Sequence, residues 1–227
     1  MPRVKTGIEG FDDLVDGGVI KGEVILLAGT TGSGKTIFST QFIYNGVTRY
    51  GEKGVYATFE EDEASLQRNM LKLGMDLKKL EKTGRIKVVG LQAMKEAGLN
   101  ANLDYILETV RELKADRLVI DSITALFMGT GEQFEYRTLM HLFYKILKKI
   151  GCTTIMTCSI PAGSATLGLG IEEFIADSVI ILENVLAGAE LKTRFLIRKM
   201  RGTSHSRTYH DVLIGERGLK IVPFSTM

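Results

Sequence analysis

The sequence predicts an α/β fold in which a mostly parallel central sheet is flanked by helices and extended by antiparallel strands near the C-terminus. Three observations carry that expectation. An apolar run ends in a glycine-rich turn that opens a helix, the strand-then-helix order then repeats along the chain, and after Asp177 strands follow one another without helices between them.

The elements follow in order. Val24 to Ala28 is an apolar run, and from Lys35 to Tyr50 the residues Phe38, Phe42, Ile43 and Val47 recur at helical spacing. Gly54 to Phe59 and then Ala64 to Leu73, with Leu66, Met70 and Leu73, repeat the pattern. Ile86 to Val89 reads as a third strand, after which Leu103, Ile106, Leu107, Val110 and Leu113 mark one face of a helix. Arg117 to Ile120 forms a strand ending at Asp121. Leu139, Leu142, Phe143, Ile146, Leu147 and Ile150 line the next helix, and Thr153 to Cys158 is another buried strand. Right-handed crossovers between such units give a parallel sheet covered on both faces. Val179 to Leu182, Thr193 to Met200, Thr208 to Ile214 and Leu219 to Val222 are joined by short turns such as Gly215-Glu216-Arg217-Gly218. All four are expected as antiparallel additions at one sheet edge. With no repeat, low-complexity tract or Pro/Ser-rich linker, residues 1–227 are expected to form one domain.

Composition narrows the function classes. Of 227 residues 44% are hydrophobic, enough for one sizeable core, and the net charge of +2 does not mark a nucleic-acid or membrane-surface binder. Charges at Arg3, Lys5, Glu9, Asp12, Asp13 and Asp16 exclude the apolar core of a signal peptide, and the longest apolar runs fall far short of the roughly 20 residues that cross a bilayer. A soluble, cytoplasmic protein with no membrane partner is expected. Cys152 and Cys158, on one buried strand, suit neither a zinc site nor a local disulfide and read as small apolar residues.

Gly29-Thr30-Thr31-Gly32-Ser33-Gly34-Lys35-Thr36 satisfies G-x-x-x-x-G-K-T between a buried strand and a helix start, the context that a phosphate-binding loop (P-loop) needs. Its glycines let consecutive N–H groups point at a phosphate, and the helix N-terminus adds positive potential. Lys35 is expected at the β- and γ-phosphates of ATP, and the Thr36 hydroxyl on magnesium (Mg2+). Ile37, the next residue, is counted in the same nucleotide-binding set. Asp121 closes an apolar strand at the same carboxyl edge by topology, where it would hold a magnesium-bound water, although an Asp there also suits a turn or helix cap. Glu60 and Glu61 emerge at that edge after Tyr56-Ala57-Thr58-Phe59. A carboxylate near the γ-phosphate can take the proton of an attacking water. The residues leave open the alternative that Glu60, Glu61, Asp62 and Glu63 only cap the next helix.

Taken together, Thr6-Gly7-Ile8-Glu9-Gly10-Phe11-Asp12, the P-loop, Glu60-Glu61, Ile120-Asp121-Ser122 and Lys199-Met200-Arg201-Gly202 with His205 soon after resemble the RecA-superfamily ATPases of the KaiC type over nearly the whole chain. The chain is similar to a single domain of that kind, the one-domain form found among archaeal proteins. The resemblance implies a RecA-like P-loop NTPase fold and a ring-shaped homo-oligomer, usually a hexamer, with ATP or ADP at each subunit boundary. It also implies that Glu60 and Glu61 activate the attacking water. Lys199 and Arg201 would reach the γ-phosphate of the adjacent subunit's nucleotide, with His205 nearby. A cation supplied across a boundary offsets charge on the transferring phosphoryl group, which agrees with that role. Where KaiC's second domain has a Ser-Thr phosphoacceptor pair, this chain has Glu173-Phe174, so the resemblance does not carry autokinase activity. Nor does a clock role follow from fold.

Three function classes follow. The first is an ATPase ring driving a conformational change in an unnamed protein partner. The second is a DNA-binding recombinase relative, using the loop Pro161 to Gly170 in a central channel, although that loop has no Lys or Arg for phosphate contacts. A nucleotide-binding scaffold without turnover is the third, and the Glu60-Glu61 pair argues against it.

Overall fold

The computed structural model describes residues 1–91, 98–126, 133–160 and 172–225, the side chains of residues 133–136 and 172 excepted. The chain opens with a two-stranded antiparallel ribbon of β1 (Arg3–Val4) and β2 (Val19–Ile20), between which Asp12–Leu14 makes one 3-10 turn. β3 (Val24–Gly29) leads through the P-loop into α1 (Lys35–Tyr50) and β4 (Gly54–Thr58). Next come α2 (Glu63–Leu71), α3 (Leu77–Lys82), β5 (Ile86–Gly90), α4 (Gly98–Leu113) and β6 (Arg117–Asp121). α5 (Ile123–Leu126), α6 (Gln133–Ile150), β7 (Thr153–Ser159) and α7 (Glu172–Ile175) follow. The chain ends with β8 (Ser178–Ala187), β9 (Glu190–Met200), β10 (His210–Gly215) and β11 (Gly218–Pro223).

One sheet runs β11-β10-β9-β8-β3-β7-β6-β4-β5. Every pairing from β8 across to β5 is parallel, and those from β8 out to β11 are antiparallel. The first C-terminal strand thus departs from expectation. β8 pairs parallel with β3, Leu26 beside Val179 and Gly29 beside Leu182, so the antiparallel extension starts only at β9. An apolar run has no direction of its own.

The period of two along β3 divides the core. Ile25 and Leu27 join one apolar cluster with Phe38, Phe42, Ile43 and Val47 of α1, while Val24, Leu26 and Ala28 join the other with Ile106 and Val110 of α4 and Met140, Phe143 and Leu147 of α6. Each fully buried Leu, Ile or Phe contributes about 1.5–3 kcal/mol, which fixes the register of the strands carrying the site. Arg117, 1% exposed at the start of β6, donates to the carbonyls of Phe42 and Lys5, both at 2.7 Å, and pairs with Glu52. It ties α1 to the sheet from below. Cys152 and Cys158 are buried and not joined in a disulfide, and burial pushes the Cys152 thiol up to about 12. Among the described residues no helix is long and apolar enough to cross a membrane.

Candidate functional site

The P-loop is held on two sides. Gly34 takes φ 91°, left-handed backbone that side chains rarely adopt, to turn the chain into α1. A Cβ at Gly29 would lie 2.3 Å from the Leu182 carbonyl oxygen, so only glycine lets the loop approach β8 this closely. Thr30 N–H donates to that carbonyl at 3.2 Å, Asn184 N–H donates to Thr30 Oγ1 at 3.1 Å, and Asn184 Nδ2 donates to the Thr31 carbonyl at 3.3 Å. The loop is thereby fastened to β8. Lys35 Nζ folds back to donate to the carbonyls of Gly29 at 2.9 Å and Thr30 at 3.0 Å. Burial lowers the Lys35 pKa, opposed by the negative charges of Asp121 and Glu60. Its acceptors are neutral, so phosphate oxygens can replace them with a gain in attraction. Ser33 is buried, Gly32 takes φ 76°, and Ile37 packs against the apolar cluster beneath α1.

Asp121 is 4% exposed at the end of β6. Thr157 Oγ1 donates to its Oδ1 at 2.6 Å, and Tyr56 OH at 2.7 Å and Thr36 Oγ1 at 2.9 Å donate to its Oδ2. Burial and the Asp121 charge push the Tyr56 hydroxyl well above its ordinary pKa, so it remains a donor. Three hydroxyls fix one carboxylate. The Thr36 hydroxyl and Asp121 oxygen lie side by side as hard oxygen ligands, which suits magnesium. Among the described residues no group of three or more His, Cys, Asp or Glu side chains could hold a metal ion. Thr36 and Asp121 are the residues that would hold such an ion.

The two glutamates are not helix caps. Asp62 is the N-cap of α2, accepting from Ser65 N–H at 2.9 Å and Ser65 Oγ at 2.7 Å. Glu60 Oε1 instead accepts from Ser122 Oγ at 2.6 Å, beside Asp121, and Glu61 Oε2 accepts from Asn69 Nδ2 at 3.2 Å. Burial raises the Glu61 pKa against the opposing Asn69 bond, with smaller upward contributions from Asp121, Asp62 and Glu60. A carboxylate of raised pKa is the stronger base.

Lys199 and Arg201 lie elsewhere. Lys199 pairs with Val179, which sits beside Leu26, and Arg201 follows the end of β9 at Met200, opposite Ser178. The P-loop leaves β3 at Gly29, beside Leu182, four residues further along β8 than Ser178. At about 3.3 Å per residue, the end of β9 is roughly 13 Å from the chain's own P-loop, at the amino edge of the sheet. Lys199 Nζ donates to the carbonyls of Glu173 at 3.0 Å and Ala176 at 2.6 Å, and Arg201 Nη2 to that of Phe174 at 3.3 Å. Both cations close the end of α7. His205 lies in the turn after Arg201, its Nδ1 2.9 Å from the Ser206 carbonyl oxygen. The structure thus brings Lys35, Thr36, Asp121, Glu60 and Glu61 together and keeps Lys199, Arg201 and His205 apart from them. The loop Pro161 to Gly170 lies outside the described residues.

A family model described as "ATPase: KaiC" matches residues 4–226. The chain belongs to this family. It carries an ATP-binding ATPase domain of the KaiC type. The circadian clock oscillator protein KaiC of Parathermosynechococcus lividus is 35% identical over 100% of this chain and 43% of its own length. That of Synechococcus elongatus is 36% identical over 99% of this chain and 45% of its own. The chain thus spans less than half the length of these relatives. A KaiC-like protein from the hyperthermophilic archaeon Pyrococcus horikoshii OT3 has a solved structure that matches 98% of this chain and 99% of its own, with a TM-score of 0.89 and 42% identity.

The KaiC-type domain also contains site residues that motif reading missed. Tyr56 and Thr157 position Asp121, Ser122 holds Glu60, and Asn184 fastens the P-loop. Tyr56 carried a legible signal, a hydroxyl within a strand otherwise apolar up to Thr58. Asn184 carried none, because its role depends on β8 lying beside β3.

Proposed function

We propose that this chain is a magnesium-dependent ATPase. It works as a ring-shaped homo-oligomer, a hexamer, in the cytoplasm, with residues 1–227 as one domain and ATP at each subunit boundary. Hydrolysis drives a conformational change that a protein partner reads. The observation that carries the reading is the division of charged groups between two sheet edges. Lys35, Thr36, Asp121, Glu60 and Glu61 share the carboxyl edge, whereas Lys199 of β9 and Arg201 just beyond it sit toward the other, about 10 Å and at least about 13 Å along the strands from the P-loop.

In this reading Lys35 holds the β- and γ-phosphates. Magnesium, carried by Thr36 and Asp121, would neutralise phosphate charge when bound. Glu61, with Glu60 beside it, takes a proton from water as the water oxygen bonds to the γ-phosphorus. The bond to the β-phosphate oxygen breaks and ADP departs. Lys199 and Arg201 reach the phosphates of the adjacent subunit, with His205 close to that boundary. A trans-acting arginine supplies on the order of 10³-fold in rate, or roughly 4 kcal/mol.

Mixing subunits tests this. Arg201→Ala and Lys35→Ala proteins are each expected to be inactive, whereas mixed rings contain boundaries that pair an intact P-loop with an intact Arg201, so phosphate release partly returns. A mixture that stays inactive although mixed rings form, or full activity of Arg201→Ala alone, refutes the shared site.

A further inference from the structure

The register of the sheet lets a tyrosine reach Asp121. Thr58 pairs with Asp121 between β4 and β6, and Tyr56, two residues back on the same face, extends its ring diagonally along the sheet toward that carboxylate. The ring is buried with Phe38, Phe42 and Ile43 of α1, and Ser39 Oγ lies 3.2 Å from the phenol oxygen. The phenol donates to Asp121 Oδ2 at 2.7 Å, and the same oxygen accepts from Thr36 Oγ1 at 2.9 Å, while Oδ1 accepts from Thr157 Oγ1 at 2.6 Å. A carboxylate has roughly four acceptor positions, two on each oxygen. Both positions on Oδ2 are therefore taken, and Oδ2 is the oxygen beside Thr36. Two ligands at right angles on an ion bound at about 2.0–2.1 Å lie about 2.9 Å apart. Thr36 Oγ1 and Asp121 Oδ2 thus have the spacing of two neighbouring magnesium ligands, and it is the hydroxyls on Oδ2 that keep that oxygen occupied.

We propose that Tyr56 is a positioning residue that keeps Asp121 one water away from the metal, and that it thereby sets the preference of the site for magnesium over larger divalent ions. The proposal rests on the magnesium reading given above. The two hydroxyls on Oδ2 differ in how readily they let go. Thr36 can turn its proton to a phosphate oxygen once a nucleotide is bound. Tyr56 is 0% exposed, so releasing Asp121 would leave a buried donor without its charged acceptor. The phenol therefore stays on Oδ2, and Asp121 acts on the ion through a bound water. Magnesium gives up water reluctantly and suits that arrangement, whereas calcium and manganese take carboxylate oxygens directly. A site that withholds its carboxylate discriminates against them. Thr157 holds Oδ1, the oxygen that Thr36 does not contact, so it orients the carboxylate without guarding the position beside Thr36. Motif reading does not reveal the role, because a Phe at this position would give β4 the same apolar pattern.

Tyr56→Phe keeps the ring and deletes the hydroxyl. With ADP and manganese bound, electron–nuclear double resonance in isotope-labelled water counts the waters on the ion, and isotope-labelled aspartate in the protein reports a carboxylate bound to it directly. The parent should show no aspartate ligand, and Tyr56→Phe should show one, with one water fewer. Calorimetry of ADP binding gives a second reading. The affinity with calcium relative to that with magnesium should rise about tenfold in Tyr56→Phe, the scale of one charge-assisted hydrogen bond. Thr157→Val also takes a hydroxyl from Asp121 but frees Oδ1, so it should match the parent in water count and in ion ratio. A direct aspartate ligand in the parent overturns the proposal without any variant. An unchanged water count and ion ratio in folded Tyr56→Phe overturns it too, as does an equal change in Thr157→Val, which would mean that any loosening of Asp121 has the same effect. ADP binding in the parent that no divalent ion strengthens removes the magnesium reading itself, and this proposal with it.

Discussion

Replacing Glu23 by Gln should flatten the pH dependence of folding stability. Glu23 is 2% exposed at the amino edge of the sheet, and its Oε1 accepts from Ser178 Oγ at 3.2 Å, while Oε2 has no partner among the described residues. Burial dominates and pushes its carboxyl from 4.5 up to about 7, against the pull of Ile20 and Ser178. Between those values the folded chain holds a proton that the unfolded chain has released. Stability from this group is therefore complete below pH 4.5 and is lost as pH rises through about 7. At about 1.4 kcal/mol per pH unit, the interval amounts to about 3 kcal/mol. For a chain of this size that is about 6–12 °C in melting temperature. Urea denaturation of both proteins from pH 4.5 to 8 checks it, because comparing slopes removes any constant penalty from the Gln amide. The parent should lose about 3 kcal/mol more than Glu23→Gln across the range. Equal slopes would show that Glu23 ionises normally in the folded state and would refute the reasoning.

Lys35→Ala should abolish ATP binding or turnover in a folded protein, because it removes the cation that the P-loop carbonyls of Gly29 and Thr30 hold; ligand-induced stabilisation and phosphate release both read this out. Glu60→Gln with Glu61→Gln should retain ATP binding and lose hydrolysis, the amides keeping the shape but accepting no proton. Because burial raises the Glu61 pKa, parental turnover should fall on the acid side at a higher pH than an ordinary glutamate would produce, as fewer molecules carry the base form. Parental turnover in the double variant would remove both residues from the mechanism.

The legible parts of the fold were those set by periodicity and punctuation. α1 spans Lys35–Tyr50 as its apolar spacing predicts, bracketed by Gly34 and Gly51, both in left-handed backbone. α3 escaped notice because Leu77–Lys82 is six residues long with lysines at Lys78, Lys79 and Lys82, too short for a periodic stripe; Asp76 starts it by accepting from Lys79 N–H at 2.9 Å. The direction of β8 was hidden for a different reason, since hydrophobic pattern fixes which face a strand buries and not which neighbour it takes. At the site, the P-loop was readable because its chemistry needs residues consecutive in sequence. Whether Glu60 and Glu61 cap α2 was not readable. The answer lies in Ser122 and Asn69, which reach them only once β4 and β6 lie side by side and α2 folds back.

The fastening of the P-loop to β8 gives the β8–β9 hairpin two places with different tasks. Midway along β8 Leu182 and Asn184 grip Thr30 and Thr31; at the open end, beyond the paired Ser178 and Met200, stands Arg201. Between them lies a continuous ladder, bent by a register shift between Val179 and Ile180. A strip of sheet resists stretching far more than a loop does, so a shift of the P-loop as its phosphates come and go would displace the far end like a rocker arm. In a ring built with sites at its boundaries, that far end would face the next nucleotide. Each subunit could then sense its own cargo and adjust its neighbour's through one piece of backbone, with no moving domain required.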